Sequence, residues 1–311
     1  MTDIFIKVGA DEIEERDISG IIKAKLIKNI ATPCDYFECM ICGDDLMDDV
    51  NFISLYKGDN RIFKGIVDKK LHSISQSGRT TSIFARSSIG AYLVDNEAMP
   101  RVYNYPKLSL IASIHGYQYG IKGIKADSDR GLPFFTVVKG ISEWDVLELY
   151  VRQTYGVLPY IDADNYLVAQ KRAKGTTIQV SNTGSDSLRY SSINISQKPY
   201  KKLSHIYICK DDGTYSLVQN KDAGITRRRQ FYVPSNQWVL FPRWSVGDII
   251  AKSMDDSFSV EVELPGYVDL QLGDDLVLSE FYPDGKLLEI REVEFVFSER
   301  IFTRVIVGDC R

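Results

Sequence analysis

Three histidines and five cysteines are all that the chain offers for metal or thiol chemistry. An odd number of cysteines scattered along a long chain is the opposite of a disulfide framework, so reduced thiols are expected. Cys39-Met40-Ile41-Cys42 has the CxxC form and Cys34 lies nearby, but the run Phe37-Glu-Cys-Met-Ile-Cys42 is strand-like. Strand alternation sends Cys39 and Cys42 to opposite faces, and no second pair completes a four-ligand set. Buried or half-buried thiols follow, with no metal. His72, His115 and His205 each sit inside an apolar run, and no Gly-x-Ser-x-Gly elbow accompanies them, so structural roles are expected. Gly120-Ile-Lys-Gly123 lacks a following Gly-Lys-Ser/Thr and no GxGxxG occurs, so no nucleotide cofactor is implied.

Long apolar runs are missing too. No stretch approaches the roughly 18 apolar residues of a membrane span, and the opening residues lack the basic start and apolar run of a signal peptide. The expectation is a protein made and folded in a cytoplasm, without membrane contact. Net charge is −4, so nothing global draws the chain to nucleic acid.

What is present is aromatic and strand-forming: 18 Tyr and 14 Phe against 10 Pro. A chain of 311 residues exceeds one ordinary core and predicts two to four domains. Period-two alternation marks short strands through the first hundred residues: Ile4, Ile6 and Val8; Ile22, Ala24, Leu26 and Lys28; Phe37, Cys39 and Ile41. After Pro100, Leu108, Ile111, Ala112 and His115 recur at helical spacing before Gly116. Ser142 and Asp145 form a capping box for a second helix that ends at Gly156, and a hairpin follows around 162–165. Alternation resumes from Leu188, is interrupted by a short helix over 245–254 with a Ser245/Asp248 box, and continues through strands at 258–264, 268–270, 276–280, 287–298 and 301–307. The predicted fold class is mainly β with an α+β insert. Predicted domains are a first β-domain at 1–99, a small barrel or sandwich, then a small α+β domain at 100–182, a second, discontinuous β-domain at 183–222 and 258–311, and a helix-bearing insertion at 223–257.

Charged clusters are few. Asp44, Asp45, Asp48 and Asp49 share one loop that lacks the ligand spacing and central glycine of a calcium hand, so a solvated turn is expected. Asp255 and Asp256 read as a helix exit. Arg227, Arg228 and Arg229 form the one dense basic run, beside Phe231 and Tyr232. Three charges in an acidic chain suit a protein interface better than nucleic acid, and they are the candidate contact residues.

The segment Ile83 to Pro100, with Arg86, Ser87, Leu93, Val94, Asp95 and Ala98 in matching places, resembles the stretch that closes the first domain of central baseplate hub proteins of contractile-tailed phages, the Mu-like, late control protein D-like kind. Phe63 to Asp68, Tyr119 to Ile121, Ile141 to Glu148, Tyr160 to Asp164, Leu272 to Val277 and Leu287 to Val307 resemble the same family in the same order. Leu272 stands where the family has Pro, and Asn165 where its hairpin has Gly, a substitution that positive φ tolerates.

The resemblance implies a homotrimer of chains with two tube-like barrels each, a ring adapting a six-fold tail tube to a three-fold spike, and no catalysis. Implied partners are further copies of the chain, tail tube, spike, tape-measure and other baseplate proteins, with DNA only in passage through a lumen lined by polar and acidic side chains. The implied location is a virion baseplate or a tail-like bacteriocin. The alternatives are a cell-wall-degrading tail enzyme, for which the Asp44 and Asp48 loop is the motive, and a carbohydrate- or receptor-binding module, suggested by the Tyr and Trp content.

Overall fold

The computed structural model describes residues 4–309 apart from 12, 44–48, 77, 174, 176, 211, 224–227, 234–245 and 283. It divides into two compact units, one of residues 1–175, 264–273 and 291–304, the other of residues 176–263, 274–290 and 305–311. The architecture is mainly β with antiparallel sheets and a helical insert.

The first unit opens with seven strands: β1 (Ile4–Gly9), β2 (Arg16–Asp17), β3 (Ile21–Asn29), β4 (Tyr36–Cys42), β5 (Phe52–Lys57), β6 (Asn60–Ser75) and β7 (Gly78–Ser87). They form an antiparallel ladder in the order β3-β4-β7-β6-β5-β1-β2. Alternation decides which face is inside: Ile6, Val8, Ala24, Leu26, Phe37, Cys39, Ile41, Ile53, Leu55, Ile83 and Ala85 are all buried. Ile22 departs from its expected face. The β3–β4 register shifts between Ile21 and Lys23, and this bulge turns Ile22 to solvent. Residues 292–297 pair antiparallel with 24–29 of β3. Across this edge Glu294 lies 3.7 Å from Lys25 and 3.0 Å from Arg304, while Glu38 of β4 faces Lys23 and Lys25.

The family-like segment folds as the end of β7 and a helix that alternation had not signalled, α1 (Ser88–Asp95). Arg86 bonds Asp68 of β6 at 2.6 and 2.8 Å and Asp95 of α1 at 2.8 and 3.0 Å. These carboxylates hold the guanidinium pKa above its ordinary value. Gly90 has no room for a side chain, since a Cβ would lie 2.5 Å from the Pro33 carbonyl.

Next come β8 (Arg101–Asn104), α2 (Leu108–His115), β9 (Gly123–Lys125), β10 (Phe134–Val137), α3 (Glu143–Tyr155), β11 (Tyr160–Ile161) and β12 (Tyr166–Val168). Their core joins Leu93, Leu108, Ile111, Phe135, Trp144, Leu147, Tyr150 and Leu167. The Ser142/Asp145 capping box forms, Gly116 caps α2, and Gly156 ends α3 at φ 68°. Asn165 takes φ 70° in its hairpin turn. His115, last in α2, is buried with Nδ1 2.5 Å from Glu143, first in α3, and Nε2 2.8 Å from the Tyr103 hydroxyl. An imidazole at a helix C-terminus facing a carboxylate at a helix N-terminus complements both dipoles.

The second unit contains β13 (Ile178–Val180), β14 (Ser192–Gln197), β15 (His205–Cys209), β16 (Tyr215–Gln219), β17 (Gln230–Val233), α4 (Val246–Asp255), β18 (Phe258–Pro265), β19 (Asp275–Leu278) and parts of β20 (Leu287–Phe297) and β21 (Phe302–Asp309). β14 pairs antiparallel with β18, β13 runs parallel to β19, and β19 pairs antiparallel with the start of β20. Residues 268–270, expected as a strand, are not one. The Val268 amide donates to the Thr303 hydroxyl, so a side chain satisfies it in place of a ladder. Helix α4 extends through Asp255, one residue past its expected end. The Ser245/Asp248 box lies outside the described residues.

Glu280 organises the turn at 181–190. Its carboxylate accepts from the Tyr190 and Ser181 hydroxyls at 2.6 and 2.8 Å, from the Asn182 and Thr183 amides at 2.7 and 3.0 Å, and from the Thr183 hydroxyl at 3.1 Å. Hydrogen bonds to the charged form, led by those from Tyr190 and Ser181, lower its pKa to about 2 from an ordinary 4.5.

Two outcomes follow from these anchors. Arg86→Met, which keeps the aliphatic stem, is expected to cost about 1–3 kcal/mol in urea unfolding of the first unit; a loss below about 0.5 kcal/mol would show that the carboxylates do not brace α1. The Glu280 contribution is complete above pH 4.5, where folded and unfolded chains both carry the charge, and drains away as pH falls toward 2. Amide-exchange protection of Asn182 and Thr183 should fall over that range, and Glu280→Gln should lower it about tenfold at neutral pH. Unchanged protection in the variant would remove Glu280 as the anchor.

Candidate assembly surface

Strands β16, β15 and β17 make a small sheet in that order, with β16 antiparallel and β17 parallel to β15. Register sorts its side chains. Tyr207 lies opposite Leu217 on one side and Tyr232 on the other, and Cys209 lies opposite Tyr215. Tyr207, Tyr215, Leu217 and Tyr232 therefore share one face, while fully buried Ile206 heads the other.

The aromatic face is open to solvent: Tyr232 is 51% exposed, with Tyr215 and Leu217 similar. Tyr207 and Tyr232 stack at 4.9 Å between ring centroids, and Tyr215 meets Tyr232 edge-on at 5.5 Å. Desolvation first, and then the neighbouring Cys209, raise the Tyr215 pKa above its ordinary value. Three ordered aromatic rings lose little entropy when a partner covers them.

Of the three candidate arginines, the two that are described do not act as one group. Arg228 is exposed and donates from Nη2 to the Tyr207 hydroxyl at 2.6 Å, setting a cation at the margin of the aromatic face. Arg229 donates instead to the Lys201 carbonyl, and its own amide and carbonyl are bonded to Ser204. Arg227 lies outside the described residues. The sequence reading did not single out Tyr207, Tyr215 and Leu217. Their strands were legible, but the parallel return of β17 that gathers them was not.

The other candidates are dispersed. Cys39 is buried, and desolvation pushes its thiol up to about 12; Cys42 is exposed at the end of β4, and Cys34 is half-buried with its pKa raised by desolvation. His72 bonds Thr81 at 3.0 Å and His205 bonds Ser204 at 2.8 Å. Asp44, Asp45 and Asp48 lie outside the described residues, and Asp49 pairs with Arg16 at 2.9 Å. The Asp256 amide donates to the Lys252 carbonyl, closing the end of α4. Among the described residues no group of three or more His, Cys, Asp or Glu is placed to hold a metal ion. No helix among them is long and apolar enough to cross a membrane.

No protein-family model and no curated protein sequence matches the chain. Solved structures do. The 43 kDa tail protein of prophage MuSo2 from Shewanella oneidensis aligns with a TM-score of 0.77 at 16% identity, over 99% of this chain and 98% of that one. The tail protein from Neisseria meningitidis aligns at 0.75 and 15% identity, over 98% and 95%. The chain has the phage tail protein fold. A more distant match, at a TM-score of 0.57 and 7% identity over 94% of this chain and 74% of that one, is an Escherichia coli component of the type VI secretion system with structural similarity to T4 bacteriophage tail proteins gp27 and gp5.

Within the tail protein fold, the family-like motif has a structural explanation. Leu93 and Ala98 are buried, Arg86 and Asp95 pair, and the Ser87 hydroxyl accepts from the Asp35 amide at 3.0 Å. The motif holds a junction between strand and helix, and the open aromatic sheet lies elsewhere in the chain.

Tyr232→Ser and Leu217→Ser should each change folding free energy by no more than about 1 kcal/mol, since both side chains face solvent. Ile206→Ala on the opposite face should cost about 2–5 kcal/mol. Urea titrations of the three variants check this; comparable losses would mean that the aromatic face belongs to the core.

Proposed function

We propose that the chain is a structural baseplate hub subunit of a contractile phage tail or tail-like particle. Its copies form a trimeric ring that adapts a six-fold tail tube to a three-fold spike. The observation that carries this reading is likeness in fold to tail proteins over nearly the whole of both chains, at matched length. An assembly subunit also needs a preformed contact surface, and the stacked tyrosines beside Arg228 have the composition of one. On this reading Arg228 and the aromatic face lie at an intersubunit contact, with Arg227 and Arg229 beside it. The tail tube, spike, tape-measure and other baseplate proteins are its remaining partners, DNA crosses a polar and acidic lumen without being held, and the subunit catalyses nothing.

A carbohydrate-binding role is the second reading, because exposed aromatic rings also stack on sugars. The pairing of Tyr207 with Tyr232 argues against it. Each ring occupies a face of the other, leaving less platform for a pyranose.

Sedimentation of the full chain at rising concentration tests the assignment. Wild-type protein should move toward a trimer, and Tyr232→Ser with Leu217→Ser should hold it as a folded monomer. A chain that stays monomeric at every concentration and forms no ring of three in images of an assembled particle, or peptidoglycan turnover lost on replacing Asp44 and Asp48, would overturn the reading.

A further inference from the structure

Strands β8 and β10 form a two-stranded sheet with no third strand among the described residues. Its inner face carries Tyr103, Phe135 and Val137, all buried. Its outer face pairs Val102 with Thr136 and Asn104 with Phe134. Val102 is 62% exposed and Phe134 61%, and beside them Met99 and Tyr105 are 74% and 81% exposed. Tyr105 holds φ 49°, a left-handed conformation that a tyrosine adopts only at a cost.

The hydrogen-bond pattern shows which backbone groups are left over. The Tyr105 amide donates to the Pro133 carbonyl at 2.9 Å. By the two-residue alternation of an antiparallel pair, the amides and carbonyls of Val102 and Asn104 then point away from β10. They form a short open edge between Pro100 and Pro106, flanked by apolar side chains. Pro100 and Pro106 blunt its two ends, so what stays open to pairing is the short stretch of Val102 and Asn104 between them. Charge narrows the partner. Residues 98–107 and 130–142 include Arg101, Lys107, Arg130 and Lys139 and no acidic residue, although the chain as a whole is acidic. Nearby carboxylates are turned to local use: Asp129 bonds the Ser109 amide and hydroxyl at the start of α2, and Glu97 bonds the Gly140 amide. Of the cations, Arg130 donates to the Thr154 carbonyl and Arg101 lies over the Tyr103 ring, each keeping its charge at the rim.

We propose that the open edge of β8 receives an extended segment of another protein, one that alternates apolar and acidic residues, as an added strand. Backbone pairing to Val102 and Asn104 supplies the affinity. The apolar side chains of that segment lie against Val102, Phe134 and Tyr105, and its carboxylates meet the basic rim. The two prolines limit the pairing to about one short strand.

The test uses the full chain and two end-capped synthetic octapeptides, one alternating glutamate and valine and the other lysine and valine. The acidic peptide should bind, slow amide exchange at Val102 and Asn104 about tenfold, and bind about tenfold more weakly to Val102→Glu and Asn104→Pro. The lysine peptide should not bind. Val102→Glu changes only an exposed side chain, removing the apolar contact and repelling the peptide's carboxylates, so it decides the matter if the proline variant misfolds. Equal binding of both peptides, binding of neither, or binding without slowed exchange at Val102 and Asn104 would overturn the proposal. Self-association of the chain that Val102→Glu abolishes would also overturn it, by assigning the edge to a second copy.

Discussion

A strand at the edge of a sheet has half of its amides and carbonyls without a neighbour, and a chain built mainly of strands must dispose of many such edges. The first unit closes one of them at long range: β3, near the start of the chain, pairs with residues 292–297. Asn29 and Glu292 are bonded at 2.6 Å across 263 positions of sequence. The seven N-terminal strands therefore cannot complete their ladder until the end of the chain has arrived, which gives a high contact order and makes folding slow. The same constraint explains the charged ladder from Glu38 through Lys25 and Glu294 to Arg304, which favours this register on the solvent face.

Polar anchors do the rest of the positioning. Arg86 holds α1 to β6 and β7, His115 and Glu143 join α2 to α3, and Glu280 gathers the turn at 181–190. Each places an ionisable group among several partners: His115 and Glu143 are buried, where unpaired polar groups are costly, while Glu280 is exposed and is held by the number of its donors. They read as fasteners, and the motif that resembles the hub family is one of them.

How much of this was legible in the sequence depended on whether the information was local. The Ser142 and Asp145 box, the Gly156 stop and the buried alternation of β1 and β4 follow from spacing alone, and the structure contains them. Helix α1 was missed because its eight residues carry no capping side chain and follow a strand without a break. The bulge at Ile22 and the coil at 268–270 were missed because both depend on distant partners, β4 and Thr303. The candidate surface divided the same way. Of the arginine run, Arg228 and Arg229 lie beside this sheet, but the tyrosines that make its aromatic face come from different strands, and only the register of β15 with β16 and β17 gathers them.

On the proposed reading, the tail protein fold, the open aromatic sheet and the open strand edge belong to a part that is joined to others. The most direct test of that account is an averaged electron-microscope image of the assembled particle from the source of this sequence. The account predicts three copies of the chain in a closed ring between tube and spike, with Tyr232 at a seam between copies. A baseplate without the chain, or a ring of three in which the aromatic face stays open to solvent, would contradict it.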